Sequence, residues 1–196
     1  MKEELELCLA ARYPELFVGR GSDPKASLMC FGCECGDGWF GILDNLFGFM
    51  ADVRQSRLRL LRVKHELVTP ENDGYIDFRC PQVVLDQVKE KYGTLRVYWH
   101  FRHDEIEELR GKAQDENELE EGIRQYSDLI GGAVDFSEYL SSKTCEITGK
   151  PGKLYTDGWC VTLCDEEAEK RFGKICHEKN GEQSSDNLHP IRRGLQ

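Results

Sequence analysis

Nothing in this chain stays apolar for long. Its longest apolar run falls far short of the roughly 20 residues that cross a bilayer as a helix, so no membrane partner is expected. The first residues, MKEELELC, are acidic and amphipathic and lack the apolar core of a secretion signal. The Gly-rich phosphate loop, the GxSxG nucleophile elbow and the HExxH zinc motif are all missing. Histidine is scarce, five in 196 residues. Only His100 and His103 stand near each other, and on a strand ending near residue 101 they would not share a face. These absences lead to the expectation of a soluble, cytoplasmic chain that is not an enzyme.

Bases are nearly missing from one stretch of the chain, less than a fifth of its length. Between Asp104 and Glu138 stand twelve acids but only three bases, Arg110, Lys112 and Arg124. That stretch carries −9 of the net −10, and the remainder is close to neutral. A field of one sign repels nucleic-acid backbones and attracts basic partners. A solvated helix face gives the same composition. The carboxylates fall into two clusters, Asp104, Glu107 and Glu108, then Glu116, Glu118, Glu120 and Glu121. These seven are the candidate partner-binding residues. Like charges at helical spacing destabilise a helix by a few tenths of a kcal/mol per pair, so their accumulation calls for a reason.

What is present is enough for a core. The chain has 196 residues and 22.5 kDa, with 39% hydrophobic residues, which suits one domain with a small appendage. The nine cysteines form an odd count. With no secretion signal, free thiols in a reducing compartment are expected rather than a disulfide framework. Cys30, Cys33 and Cys35 look like a metal clip, but Cys33-Glu34-Cys35 is too tight to supply two zinc ligands from ordinary turns. A turn that docks Trp39 and buries thiols is the expected reading.

Periodicity organises the rest. Residues 2–12 read as a helix ending near Tyr13-Pro14. Residues 39–65 repeat Trp39, Ile42, Leu43, Leu46, Phe47, Met50 and Val53 at helical spacing, with Asp37 as the expected N-cap. The later part of that helix carries Arg54, Arg57, Arg59, Arg62 and Lys64, expected to pair with the acidic segment. Residues 75–80 alternate as a short strand after a turn at 70–74. Leu95, Val97, Trp99 and Phe101 define a strand face, with Gly93 as the turn. Residues 83–92 fit a helix or a strand, and a hairpin partner strand is expected. Residues 103–111 form a charged linker or short helix. A second long helix spans 116–142, with Leu119, Ile123, Tyr126, Ile130, Ala133, Val134 and Leu140 inward and a kink or close backbone contact at Gly131-Gly132.

Thr144 to Lys170 has the layout of a zinc knuckle: a Gly-rich turn after Cys145, a hairpin turning at Asp157-Gly158, then Cys164 ahead of a helix at 165–172. Zinc on this layout wants ligands at 145, 148, 164 and 167. The chain offers Cys145 and Cys164, with Cys160 and Glu167 as further candidates, but Thr148 is a poor ligand. A degenerate site is expected, holding its shape without full zinc occupancy through Leu154, Trp159 and Leu163. The expected fold is α+β: long helices on a small antiparallel sheet in residues 1–143, the knuckle-like unit at 144–175, and a poorly ordered tail at 176–196.

Three stretches taken together, ECGDGW at 34–39, VKEKYGTLRVYW at 88–99 and TCEITGKPG…GW…TLCDEE at 144–167, resemble a group of small phage and prophage proteins. The likeness runs in the same order from about residue 30 to 170. The group's pattern has Cys at the position of Thr148 and His at that of Glu167, and this chain departs at both. A phage context implies host-directed roles, including inhibition of a defence system such as CRISPR. Three function classes follow. The first is an acidic interaction protein that inhibits a host defence or nucleic-acid-handling complex by occupying its basic surface. The second is a nucleic-acid-binding knuckle protein, opposed by the net charge. The third is a metal-dependent hydrolase or nuclease.

Overall fold

The computed structural model describes residues 1–66, 80–113, 115–156 and 158–173. Among the described residues the chain folds as α+β, with five α-helices, a three-stranded sheet and a two-stranded hairpin. Helix α1 (Glu3–Arg12) carries Glu3, Glu4 and Glu6 in its first turn, where carboxylates suit the helix dipole. Strand β1 (Cys33–Glu34) precedes a 3-10 turn at Asp37–Trp39 and the long helix α2 (Phe40–Glu66). Asp37 does not cap its own helix. Its carboxylate accepts the Lys2 amide at 2.7 Å, and Gly36 occupies the cap position. That contact also draws the Asp37 pKa below the usual carboxylate value.

Strands β2 (Val83–Lys91) and β3 (Thr94–Phe101) form the expected hairpin, in the register Val83↔Phe101 to Lys91↔Thr94 with a bulge between Leu85 and Gln87. Its two-residue turn needs positive φ at both positions, and Tyr92 (φ 55°) and Gly93 (φ 78°) supply it. A Cβ at Gly93 would also push the flexible end of Leu154, whose Cδ1 lies 2.3 Å from it. The sheet is mixed rather than purely antiparallel: β1 pairs with β2 in parallel, Cys33 against Val88. The expected strand at 75–80 and the turn at 70–74 fall on positions of which 70–79 lie outside the described residues.

Helix α3 (His103–Lys112) leads into α4 (Glu116–Ser141). Asp115 caps α4 by accepting from the amides of Asn117 and Glu118. α4 runs unbroken through Gly131-Gly132, where a kink or close backbone contact was expected, and a Cβ on either glycine would meet no described atom within 4 Å. Its inward face covers β3. Ser141 Oγ accepts the Leu95 amide at 2.8 Å and Glu138 Oε1 the Val97 amide at 3.4 Å, which satisfies donors along that strand. Leu9, Trp39, Leu43, Phe47, Met50, Leu85, Val88, Leu95, Tyr126 and Ile130 form the main core between the helices and the sheet.

The last unit is the hairpin β4 (Lys153–Tyr155) and β5 (Val161–Leu163) with helix α5 (Asp165–Phe172), which ends on Gly173 in the left-handed conformation. It has its own apolar cluster of Cys145, Tyr155, Val161, Leu163, Cys164 and Ala168, with Phe172 against it. Leu163 is in that cluster as expected, but Trp159 and Leu154 are not: they are 68% and 49% exposed. Trp159 lies between the two strands, Leu154 lies against the Gly93 turn, and Tyr155 and Phe172, stacked at 5.6 Å, fill the interior in their place. Residues 176–196 lie outside the described residues.

Candidate functional site

The three sequence stretches that stand out converge on one joint. Trp39 is fully buried, and its indole Nε1–H donates to the Thr144 carbonyl at 2.8 Å. The Gly36 amide donates to Glu146 Oε1 at 3.0 Å, and the Gly38 amide to the Glu146 carbonyl at 2.8 Å. Gly38 has to be glycine, since a Cβ would lie 2.2 Å from the Cys145 carbonyl oxygen. On the other side, Thr162 Oγ1 donates to the Gly93 carbonyl at 2.6 Å. The stretches at 34–39, 88–99 and 144–167 thus lock the knuckle-like unit onto the main core. Their residue types answer to close backbone approach and hydrogen bonding.

The thiols sit within this joint. Cys33 and Cys35 are buried, and burial pushes both pKa values up, that of Cys35 to about 12. Both are held as neutral thiols, in line with a turn that buries them beside Trp39. In the knuckle, Thr148 Oγ1 lies 3.6 Å from Cys164 Sγ. Burial alone would push the Cys145 thiol up. The Thr148 hydroxyl and the amides of Cys164, Thr148 and Ile147 donate to its sulfur, and they hold its pKa below the ordinary thiol value. Cys145, Thr148 and Cys164 therefore meet as the knuckle layout requires. Glu167 instead turns to Lys170 at 2.6 Å, and Cys160 is half-buried on the hairpin. Among the described residues no three His, Cys, Asp or Glu side chains are grouped as a metal would need, whereas a structural zinc takes four donors.

The acidic candidates are largely laced into the fold. Arg110 is clamped between Glu107 and Glu120, both at 2.9 Å, which ties α3 to α4. Arg124 holds Glu121 at 2.7 Å and Asp128 at 2.8 Å, and the Glu121 carboxyl is drawn down to about 2 by its hydrogen bond to Arg124. Asp104 pairs with Arg102. Arg54 of the basic helix reaches Glu105 at 3.1 Å, an internal pairing of the expected kind. The side chains of Arg57, Arg59, Arg62 and Lys64 lie outside the described residues. Glu108, Glu116 and Glu118 are exposed on the same two helices. Four of the seven candidates thus already hold an arginine.

Sequence reasoning missed an open surface groove. α2 and the C-terminal half of α4 run antiparallel and leave an open groove of about 680 Å³ between them. Ile42, Asn45, Leu46 and Phe49 line one wall, and Leu129, Ala133, Phe136 and Leu140 the other. Leu140 was expected to face the core, but it is 37% exposed here, and Phe136 is 59% exposed. α4 is thus apolar on two sides. Tyr126, Ile130 and Val134 face the core, while Leu129, Gly132, Phe136 and Leu140 face the groove. The spacing 129, 132, 136, 140 was a usable signal, but beside a second stripe it reads as one broad buried face.

Searches against protein-family models, curated proteins and solved structures find no match to this chain. No helix among the described residues is long and apolar enough to cross a membrane.

Proposed function

We propose that this chain is a non-catalytic interaction protein that binds a basic surface on a protein partner. The observation that carries the reading is the double-sided α4. Its second apolar stripe is exposed and runs beside Asp128 and Asp135, within the stretch that holds nearly all the net charge. The resemblance of residues 30–170 to phage and prophage proteins supports a place in a bacterial host cell, with a defence or nucleic-acid-handling complex as the target and inhibition as the outcome. The knuckle-like unit fits this role as a structural buttress held by packing, without a resident metal.

The test is capture of host proteins at graded salt. Exposed charges are screened over about 8–10 Å at ordinary ionic strength, so capture of one basic complex should fall steeply as salt rises. Reversing Glu116, Glu118, Glu120 and Glu121 to lysine should abolish it. Glu120 and Glu121 give up arginine partners in that variant, but exposed pairs contribute little, so its melting temperature should stay close to that of the wild type. Full-strength capture by the folded variant would refute the reading.

One observation favours a second reading, a nucleic-acid-binding protein. The outer side of the β2–β3 hairpin places Lys89 over the Tyr98 ring at 5.2 Å and Lys91 over Tyr92 at 5.6 Å. Base stacking on such rings would need those lysines to swing away. Salt-dependent binding to plain single-stranded DNA, lost in Tyr98→Ala, would favour it over the first.

A further inference from the structure

We infer that the groove between α2 and α4 is the docking site for an amphipathic helix of a partner protein, apolar on one face and lysine- or arginine-rich along its edges. This rests on the reading of the chain as an interaction protein and gives that reading a site and a ligand class.

The dimensions select a helix. The groove follows α4 from Asp128 to Leu140, about 18 Å at the rise of an α-helix, or just over three turns. Its walls are two antiparallel helices, so a third helix laid between them meets ridges at the spacing that helix-in-groove recognition uses, with anchors at i, i+3, i+4 and i+7. Phe49 and Phe136 stand on opposite walls, 38% and 59% exposed, and Leu129 and Leu140 close the two ends.

The floor is kept low by glycine. A Cβ built on Gly41 or Gly132, both in the groove lining, would meet no atom within 4 Å. Packing against the described residues therefore does not require glycine at these two helical positions, in contrast to Gly38, which the knuckle's backbone requires. Glycine inside a helix costs stability relative to alanine. The feature that uses it is an occupant whose backbone approaches α2 and α4 closely.

Charge selects which helix. Asp128 and Asp135 lie on the ridge of α4 that flanks the groove, and Asp52 lies one turn beyond Phe49 on α2; all three are exposed. Asp128 is shared with Arg124 at 2.8 Å, and that arginine also serves Glu121. The balance around the groove therefore stays acidic. A second copy of this chain would bring the same carboxylates against these, on a molecule already at −10. A helix edged with lysine or arginine meets them with the opposite sign, which speeds encounter and fixes orientation.

The test uses the full chain and a fluorescein-labelled peptide of about 14 residues, long enough for the groove as a helix. It carries leucine and phenylalanine at i, i+3, i+4 and i+7 and lysine elsewhere. One control has glutamate in place of lysine, and another is a scrambled peptide of the same composition. Fluorescence anisotropy at physiological salt should show saturable binding of the lysine helix. Both controls should bind at least about tenfold more weakly, a difference of roughly 1.4 kcal/mol. Gly132→Leu, which fills the floor, and Phe136→Ala, which removes a wall, should each weaken binding by a similar factor while circular dichroism and melting stay as in wild type. No binding of the lysine helix would overturn the proposal. So would equal binding of the scrambled peptide, or unchanged binding in both folded variants. A wild-type dimer that Gly132→Leu converts to a monomer would assign the groove to a second copy and overturn it as well. Host-protein capture separates this failure from that of the broader reading. If Gly132→Leu still captures the basic complex and the four-glutamate reversal does not, the interaction protein stands and the groove falls. If neither variant loses capture, both fall.

Discussion

At the scale of single residues, the joint between the main core and the knuckle sets the most severe constraints. Gly38 lies where the knuckle's backbone leaves no room, with the Cys145 carbonyl oxygen 2.2 Å from any added Cβ. Gly38→Ala must displace backbone rather than a side chain, so we expect a loss of several kcal/mol, within the range of severe single substitutions. Trp39→Phe keeps most of the buried area but leaves the Thr144 carbonyl without its donor, and about 1–3 kcal/mol should be lost. Chemical denaturation of the two variants checks the order, Gly38→Ala worse than Trp39→Phe. The sequence showed that 34–39 and 144–152 were special, but not that each is the other's reason. A hydrogen bond across 105 positions, Trp39 to Thr144, leaves no local trace.

Two half-buried carboxylates give the fold a pH signature. Burial is the largest influence on Glu138 and on Glu146, and it raises both above the ordinary glutamate value of 4.5. The folded chain therefore holds these protons more tightly than the unfolded chain does. Stability from this source is fully present below the unfolded pKa and is lost as pH rises through the folded one. Glu138→Gln keeps an acceptor for the Val97 amide and removes the titration. Its melting temperature should gain on wild type as pH rises from about 4.5 to 7, and parallel curves would show that Glu138 does not titrate above its ordinary range.

At the scale of elements, the hairpin and the long helices were legible, because alternation at 95–101 and helical spacing at 39–53 are local signals. β1 was not. A two-residue strand takes its pairing from the docking of its loop on β2, and nothing in Cys33-Glu34 encodes that. The kink or close backbone contact expected at Gly131-Gly132 gives way to a continuous helix, with Tyr126, Ile130 and Val134 anchoring α4 on both sides of the pair. In the knuckle, the approach of Cys145, Thr148 and Cys164 was legible from spacing. The outward Trp159 was not, since a tryptophan beside a hairpin turn reads as core until its direction is known.

The knuckle carries a prediction of its own. Purified without chelator, the protein should hold well under one zinc per chain, because Thr148 and Glu167 do not complete a tetrahedral set with Cys145 and Cys164. Thr148→Cys combined with Glu167→His should gain about one zinc and melt higher with it. Metal analysis of both proteins decides this. A tightly held stoichiometric zinc in wild type would contradict the metal-free unit, and failure of the double variant to take zinc would show that the loop lacks knuckle geometry.

At the scale of the whole molecule, charge and apolar surface meet on one side of α4. The acidic stretch was visible in composition, and its partial neutralisation was not, because Arg110 and Arg124 each gather two carboxylates that composition counts separately. What remains is an acidic rim beside an open apolar groove. The central claim is that this face is where the protein acts. Amide hydrogen exchange of the free protein and of its salt-sensitive complex with the captured partner tests that most directly. The account predicts new protection over residues 128–140 of α4 and 41–49 of α2, with the hairpin tip around Trp159 unchanged. Protection confined to that tip or to the Lys89–Tyr98 side of the sheet, with α4 exchanging as in the free protein, would contradict it.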